Sequence, residues 1–474
     1  MKTILVFSFL ALANLYAYLN QSYFGTISVC NIMEDLCETD LSVIIPGIKI
    51  DSVIDATYGK EGVSEDVFYE DDGCEEKNTD YDHCEDGYNS MKYDVYYPDS
   101  IDNKRVSYSS CGLPAIIMFH GGSFKECSDK PNPGIKQVCL EMAKRGFIVF
   151  NVEYRRGVLI DIRKPYIGYR LKYISAQQIL AIYRASQDVR GAIRTIIYKQ
   201  RISSNDGNYK IDTNNLFVGG ISAGSLAAMN AAYYERQGQI DSAWPGASTV
   251  MGDIDQDYYI GDTNINFIPK IKGVLDMWGA IAVHKSKSAN PGYFLGGNQG
   301  NPAMIAFQGY EDDIFPVDTS SLYFSPDVSP NGTNYNNETN CLVSGSSFRI
   351  DTVANSVDSY AIGAEGIYKV FKNKGIPVEV YIDCTMGHGM DTGTPFDSDF
   401  GTSYTNQNDV YSYIAARSTT FFVTVIKGYA SSLGRARFVE CKNNRVKCDL
   451  ADDAECDYDI DHEVSYRCTD FLNE

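Results

Sequence analysis

The sequence of 474 residues has few basic side chains for its length. It contains 41 Lys and Arg against 62 Asp and Glu, which gives a formal net charge of −21. Because the phosphate backbones of nucleic acids and the headgroups of anionic lipids repel an acidic surface, this balance disfavours both as partners. We therefore expect no nucleic-acid partner. The excess of acidic residues indicates a well solvated surface.

Histidine is also scarce, with five residues, and the 13 cysteines include no Cys-x-x-Cys pair. Zinc sites are built mainly from closely spaced Cys and His, so we expect no metal site. The alternating aspartates at 253–257 and 457–461 lack the glycine and the closing glutamate of an EF-hand loop. We expect them to be solvated acidic loops. No pattern in the sequence indicates a cofactor, and none is expected.

Beyond the first residues, no apolar segment is long enough to cross a membrane. Residues 1–17 combine the single charge of Lys2 with a short apolar run and small residues at Ala11, Ala13 and Ala17. This pattern is typical of a signal peptide cleaved after Ala13 or Ala17. We therefore expect a secreted protein without stable membrane insertion.

All 13 cysteines lie beyond the predicted signal peptide, and several are closely spaced in the sequence. Such usage is typical of disulfides formed in an oxidising compartment. The odd count leaves at least one free or intermolecular thiol, and Cys139, inside a helical pattern, is predicted to be a buried thiol. Asn20, Asn331 and Asn337 lie in sequons that would accept glycans in a secreted protein. The closely spaced cysteines are Cys30/Cys37, Cys74/Cys84, Cys441/Cys448 and Cys456/Cys468.

The two ends of the chain differ in composition from its middle. Residues 18–90 are polar, acidic and cysteine-bearing, and we expect an extension with little regular structure. Residues 434–474 carry four cysteines and many acids, and we expect a small appendage held by disulfides. Residues 91–433, between these ends, are predicted to form one large domain.

Strand and helix patterns alternate through this middle segment, which predicts a doubly wound α/β domain with a mainly parallel sheet. Several strands are near-continuous apolar runs, typical of strands buried on both faces. Insertions at about 155–175, 237–270 and 317–350 lack periodicity and are expected to form cap loops at the carboxyl edge of the sheet. The predicted strands are Met91–Tyr97, Ala115–Phe119, Phe147–Glu153, Leu216–Gly219, Gly273–Trp278, Met304–Gln308 and Val378–Ile382. The predicted helices cover about 133–145, 176–200, 222–236, 357–374 and 409–428.

A serine stands at one of the predicted strand-to-helix turns, in the pentapeptide Gly220-Ile221-Ser222-Ala223-Gly224. A serine at such a turn lies on a strained and exposed corner, and the flanking glycines let the backbone turn tightly. The pattern therefore predicts Ser222 as a nucleophile.

A serine nucleophile needs a base to take its proton, and the base needs an acid to orient it. His388 lies between two glycines just after a predicted strand, and it is the predicted base. Asp312 follows another strand and is the predicted acid. Asp313 and then Glu311 are the next choices, and Asp276, within the preceding strand, is a distant alternative.

The segment His120-Gly121-Gly122 follows a predicted buried strand. Without side chains, a glycine backbone can approach a substrate carbonyl and present N–H donors to it. Gly121 and Gly122, together with the N–H of Ala223, are therefore predicted to form an oxyanion hole. We interpret His120 as structural rather than as the base.

Seven short motifs occur in a fixed order along residues 91–430. They are Asp94–Pro98, His120–Phe124, Glu153–Arg155, Gln187–Arg190, Gly220–Gly224, Gly309–Asp312 and Gly387–Gly389. As a set they resemble the secreted carboxylesterase/lipase type of α/β-hydrolase. The resemblance implies an α/β-hydrolase fold, a triad of Ser222, Asp312 and His388, and hydrolysis of a small-molecule or polymer-linked ester through an acyl-enzyme. Ile221 stands where the family often has an acid and Ser123 where it often has a third glycine, so the substrate stays open.

Two other functions fit the same fold. A serine peptidase of the prolyl-oligopeptidase type has the same order of nucleophile, acid and base, but no segment long enough for a propeller precedes the predicted domain. A catalytically silent adhesion protein on this fold predicts the loss of a triad residue, and all three are present. The sequence therefore favours an esterase.

Overall fold

The computed structural model of this chain describes about half of its residues, and the structural statements below concern these alone. They are residues 26–28, 44–59, 91–108, 112–122, 124, 133–155, 167–202, 209–244, 247–248, 252–255, 270–284, 294–295, 300–309, 312, 314–321, 359–383, 387–389, 407–428, 436–442 and 445–450. Outside them lie the predicted signal peptide, the three sequons, the cysteine pairs Cys30/Cys37, Cys74/Cys84 and Cys456/Cys468, and the aspartates at 457–461. No helix in the described ranges is long and apolar enough to span a bilayer.

Strands and helices alternate along most of the described chain. The strands are β1 (Thr26–Ser28), β2 (Ile48–Gly59), β3 (Met91–Ile101), β4 (Lys104–Ser107), β5 (Leu113–Phe119), β6 (Ile148–Val152), β7 (Ile211–Ile221), β8 (Ile271–Met277), β9 (Ile281–His284), β10 (Ala303–Gly309), β11 (Thr319–Ser321), β12 (Ser359–Ile362), β13 (Val378–Asp383), β14 (Ala436–Lys442) and β15 (Arg445–Leu450). The helices are α1 (Pro133–Ala143), α2 (Ile167–Ile202), α3 (Ala223–Tyr233), α4 (Gln237–Ala243), α5 (Ala364–Lys374) and α6 (Gln407–Ile426).

One large sheet forms the centre of the structure. Its strand order is β1-β4-β3-β6-β5-β7-β8-β10-β13-β14-β15, with β2 paired to β3. The strands from β6 through β14 in this order run parallel, whereas β3 and β15 lie antiparallel to their neighbours. The carboxyl ends of β5, β7, β10 and β13 therefore meet at one edge of the sheet. β9, β11 and β12 form a separate antiparallel sheet.

Helices cover both faces of the large sheet. Phe217 and Gly220 lie three residues apart on β7, so they face opposite sides of the sheet. Phe217 stacks on Phe422 of α6, with 4.2 Å between ring centroids, whereas Gly220 approaches α3. The mainly parallel, doubly wound α/β architecture predicted from the sequence is confirmed.

The core lies between these helices and the central strands. Every residue of β5, β6 and β10 is buried, which explains why their sequences are near-continuous apolar runs without alternation. The predicted buried thiol Cys139 lies in α1, fully enclosed and free of a disulfide. Burial raises the pKa of its thiol far above the usual value, so it is a packing residue rather than a reactive one.

The sheet extends further towards the N-terminus than the sequence predicts. The expectation of little regular structure within 18–90 is wrong for residues 48–59, because β2 pairs antiparallel with most of β3. Register shifts interrupt this pairing, and Asp55 has a φ of 58° within one of them. The irregularity disrupts the two-residue periodicity that would otherwise have indicated a strand.

Other segments also differ from their predicted structure. Residues 359–362 of the predicted helix 357–374 form a strand, and α5 begins only after Gly363. Two insertions expected to lack regular structure contribute helices, since α2 begins at Ile167 and α4 covers Gln237–Ala243. Within the predicted appendage, β14 and β15 continue the large sheet instead of forming a separate unit.

Asp255 is not the solvated acid that its sequence pattern predicts. Its two carboxylate oxygens accept hydrogen bonds from the buried guanidinium groups of Arg190 and Arg194, at 2.7 and 2.5 Å. These arginines lie four residues apart on α2, so their side chains share one face of that helix. The sequence pattern did not indicate these ion pairs of Asp255, because its partners lie more than 60 residues away.

The replacement Phe422→Ala should destabilise the protein by about 3–5 kcal/mol, because it removes a fully buried ring stacked on Phe217. Urea denaturation followed by tryptophan fluorescence measures the change. The control Val53→Ala removes a side chain that is 43% exposed and should change stability by no more than about 0.5 kcal/mol. Equal effects of the two substitutions would contradict the assigned core.

Candidate active site

Ser222 lies at the turn between β7 and α3, where its backbone is strained. Its φ of 53° and ψ of −116° lie outside the regions favoured by residues with a side chain. Two backbone hydrogen bonds hold it there: its N–H donates to the Met277 carbonyl at 2.9 Å, and its carbonyl accepts from Leu226 at 3.0 Å. Backbone strain of this kind persists only where the surrounding structure enforces it.

The two glycines of the pentapeptide are required by close backbone contacts. A Cβ on Gly224 would lie 2.3 Å from the carbonyl oxygens of both Phe119 and His120. A Cβ on Gly220 would lie 2.5 Å from the backbone carbon of Gly224. The helix thus begins in direct contact with the ends of β5 and β7, and this contact aims the Ser222 side chain away from the sheet.

Ser222, His388 and Asp312 form a continuous chain of hydrogen bonds. The Ser222 Oγ lies 2.8 Å from His388 Nε2, and His388 Nδ1 lies 2.9 and 3.0 Å from the two carboxylate oxygens of Asp312. A carboxylate can only accept, so Nδ1 carries the proton and Nε2 is left to accept the Ser222 hydroxyl. Residues separated by 166 positions in the sequence are thereby brought into contact.

Asp312 is fixed by the turn that follows β10. The backbone N–H groups of Ile314 and Phe315 both donate to its Oδ1 at 2.9 Å, and its side chain is fully enclosed. Gln308, at the end of β10, donates to the carbonyls of Phe315 and Pro316 and so closes the same turn. The alternatives Asp313 and Glu311 lie outside the described residues.

Asp276, the distant alternative, does not contact His388. Its Oδ1 accepts hydrogen bonds from the Ser225 hydroxyl at 2.5 Å and from the Gly279 N–H at 2.9 Å. Asp312 therefore occupies the position beside the imidazole, and Asp276 lies beneath the turn that carries Ser222.

Two of the predicted oxyanion residues lie against Ser222: Ala223 follows it in the chain, and Gly121 contacts it. A Cβ on Gly121 would lie 3.3 Å from the Ile221 carbonyl oxygen and 3.4 Å from Ser222 Cβ, so this loop lies directly against the serine. Gly122 has a φ of 108°, which favours glycine. Ala223 is the first residue of α3, where backbone N–H groups have no acceptor within the helix.

A tyrosine that the sequence analysis did not assign supports this loop. Tyr154 follows β6, and its hydroxyl donates to the His120 carbonyl at 2.9 Å. Its ring stacks on the His120 imidazole with 4.4 Å between centroids. His120 is fully buried in this stack and takes no part in the chain from Ser222 to Asp312. Tyr154 lies within the sequence motif Glu153–Arg155, but the motif alone does not show what the tyrosine contacts. The contact follows from the pairing of β5 with β6.

Arg155, the next residue, forms a paired contact with Asp188 of α2. Its Nε and Nη2 donate to Asp188 Oδ1 at 2.9 and 2.6 Å, and its backbone N–H donates to Oδ2 at 2.8 Å. The end of β6 is thereby fixed to the longest described helix. No group of three metal-ligating side chains occurs in the ranges that the structure describes.

Several solved esterase structures are similar to this chain, although no protein-family model and no curated protein matches it. Esterase 2 of Thermogutta terrifontis phosphorylated by paraoxon is 12% identical, covers 81% of this chain and 95% of its own, and has a TM-score of 0.40. The native form of that esterase is 12% identical, and the match covers 71% of this chain and 88% of the esterase, with a TM-score of 0.41. Esterase B from Lactobacillus rhamnosis, inhibited by a tributyrin phosphonate, is 12% identical, with coverages of 88% and 97% and a TM-score of 0.35. At such low identity these structures indicate nothing about the substrate of this chain.

The replacement Gly224→Ala should disrupt the turn, because its Cβ would collide with two backbone carbonyls that cannot move independently of β5. We expect a loss of stability above about 2 kcal/mol, typical of an overpacked site, and a loss of whatever reactivity Ser222 has. The control Gly238→Ala places a Cβ in open space within α4. It should be neutral or slightly stabilising. Thermal unfolding measures both, and a fully stable Gly224→Ala protein would show that the close contact is wrong.

Proposed function

We propose that this protein is a secreted serine hydrolase that cleaves carboxylic esters through an acyl-enzyme on Ser222. The observation that carries the proposal is the unbroken hydrogen-bond chain from Ser222 Oγ through His388 to Asp312. A serine hydroxyl is a weak nucleophile on its own, and this chain supplies the base that activates it. Signal-peptide and cysteine patterns in the sequence support secretion.

In the proposed reaction, Ser222 Oγ attacks the ester carbonyl carbon while its proton passes to His388 Nε2. Asp312 keeps the other imidazole nitrogen protonated and stabilises the positive charge that develops on the ring. The imidazolium then gives its proton to the departing alcohol, leaving an acyl group on Ser222. A water molecule, deprotonated by His388 in the same way, hydrolyses that acyl-enzyme and restores the serine.

The negative charge that develops on the carbonyl oxygen needs donors on the opposite side of Ser222. We assign the backbone N–H of Ala223 and the loop of Gly121 and Gly122 to this role, since both lie against the serine. Each such donor contributes about 3 kcal/mol to transition-state stabilisation. Tyr154 holds the loop from behind through the His120 carbonyl.

A panel of p-nitrophenyl esters of increasing acyl length, with a parallel panel of prolyl peptides, tests the substrate class. We expect turnover of esters and little or none of the peptides. Rapid cleavage of the peptides in place of the esters would favour a peptidase of the prolyl-oligopeptidase type. Failure of a fluorophosphonate to label the protein would favour a catalytically silent adhesion protein.

The replacement Ser222→Ala should lower ester turnover by at least about 10⁴-fold, since the nucleophile is removed. Fluorophosphonate labelling, mapped by peptide mass spectrometry, should fall on Ser222 in the wild-type protein and disappear in the variant. The matched control is Ser186→Ala, a buried serine of α2 whose hydroxyl donates to the Ile182 carbonyl within its own helix. Turnover that survives Ser222→Ala at the wild-type rate would overturn the proposal.

The replacement Asp312→Asn should lower kcat by about 10⁴-fold with little change in KM, because an amide favours the wrong imidazole tautomer. Steady-state kinetics on a short-chain ester measure both constants. The control Asp318→Asn alters an exposed partner of Lys369, and it should leave both constants unchanged. A variant at position 312 with nearly full kcat would move the role of the acid to another residue.

A further inference from the structure

A buried carboxylate lies directly beneath the turn that carries Ser222. Asp276 is on β8, paired in register with Gly220 of β7 on one side and with Ala306 of β10 on the other. Its side chain is fully enclosed. A charged group at the centre of a sheet is costly to bury unless it is well hydrogen-bonded, so its presence there needs a reason.

Only one of its two carboxylate oxygens is hydrogen-bonded. Oδ1 accepts from the Ser225 hydroxyl and the Gly279 N–H, whereas no group among the described residues donates to Oδ2, which is also buried. An apolar side chain would avoid this penalty. The two bonds that Asp276 does make are therefore the feature that explains it.

The bond from Ser225 connects β8 to the first turn of α3, and the bond from Gly279 fixes the segment that follows β8. Ser225 lies three residues after Ser222, and the Ser222 N–H itself donates to the carbonyl of Met277, next to Asp276. A Cβ on Gly279 would lie 2.6 Å from both Asp276 Oδ1 and Ser225 Cβ, which shows how closely these segments meet. Trp278, between Asp276 and Gly279 in the chain, has a φ of 42°, so the backbone just after β8 is strained as well.

We propose that Asp276 is a positioning residue for the nucleophile, holding the first turn of α3 against the end of β8 through Ser225. The strained backbone of Ser222 is then held to β8 at two points. Its own N–H donates to the Met277 carbonyl, and Ser225, in the first turn of α3, donates to Asp276. This inference rests on the proposed hydrolase function. It assigns to Asp276 a role distinct from that of the acid beside His388.

The charge of Asp276 supports a role near the reacting groups. Burial raises its pKa to about 6, the hydrogen bonds from Ser225 and Gly279 oppose that rise, and the nearby charge of Asp312 adds to it. Tyr233 of α3 also senses this charge, since its pKa is raised well above its usual value by burial and then by the charge of Asp276. Asp276 is thus electrostatically coupled to the acid of the triad.

The raised pKa predicts how stability depends on pH. The folded protein binds the Asp276 proton more tightly than the unfolded chain, so ionisation between pH 3.8 and about 6 weakens the fold as the pH rises. Asp276→Asn removes this ionisation, so its stability relative to wild type should increase across that interval and stay level above it. Urea denaturation at a series of pH values measures the difference, and a difference independent of pH would show that folding does not raise the pKa of Asp276.

The positioning role is tested with Asp276→Ala, Ser225→Ala and the double variant. Each single change removes the same hydrogen bond, so each should lower kcat by about 10-fold, typical of a bond to a charged group, with KM little changed. The double variant should be no slower than Asp276→Ala, because Asp276→Ala has already removed the bond that Ser225 makes. Asp276→Asn should restore kcat, since its amide oxygen still accepts from Ser225 and Gly279.

Rescue of kcat by Asp276→Asn, with KM unchanged, separates this positioning role from a general loss of structure. The control Ser186→Ala should leave kcat unchanged. Wild-type kcat in both alanine variants, or effects that multiply in the double variant, would overturn the proposal.

Fluorophosphonate labelling of the wild-type protein separates this proposal from the function on which it rests. If the wild type is not labelled, the hydrolase proposal fails, and hydrogen exchange at the amides of residues 222–226 then decides the role of Asp276. Exchange should be faster in Asp276→Ala than in Asp276→Asn if the carboxylate holds this turn. Equal exchange in the two variants would overturn the positioning role whatever the activity.

Discussion

The close approach of α3 to the ends of β5 and β7 is the constraint on which the rest of the site depends. It is possible only because Gly220 and Gly224 have no Cβ, and it forces Ser222 into a φ of 53°. This position holds the Ser222 hydroxyl away from the sheet, towards the loops at the carboxyl edge of the strands, where it meets His388. His388 and Asp312 reach it because the strands before them, β13 and β10, end at the same edge.

This dependence explains how much of the site could be predicted from the sequence. In a parallel sheet, residues that follow successive strands are brought together whatever their separation in the chain. Ser222, Asp312 and His388 each follow a buried apolar strand closely, so local patterns were enough to select them. Gly220 and Gly224 indicated the turn, because a tight backbone contact there leaves no room for a Cβ at either position.

The features that the sequence did not predict depend on contacts between distant segments. The sequence indicated Asp276 only as a distant alternative for the acid beside His388. Its bond to Ser225 depends on β8 lying beside β7. Tyr154 gains its role from β6 lying beside β5. The irregular register of β2 hid a strand that belongs to the sheet. Amino-acid composition does not indicate which strand lies beside which, so none of these contacts could be predicted from it.

Strain at Ser222 and Trp278 and the half-satisfied carboxylate of Asp276 all lie within one small region. Each costs stability, and unfavourable features of this kind are retained at functional sites because the surrounding structure compensates for them. Here the compensation comes from the buried strands on both sides and from hydrogen bonds. Ser225 and Gly279 donate to Asp276, and Ser222 donates to the Met277 carbonyl. A region that combines so many unfavourable terms in a well packed core is difficult to explain as packing alone, whereas the nucleophile role proposed for Ser222 accounts for all of them together.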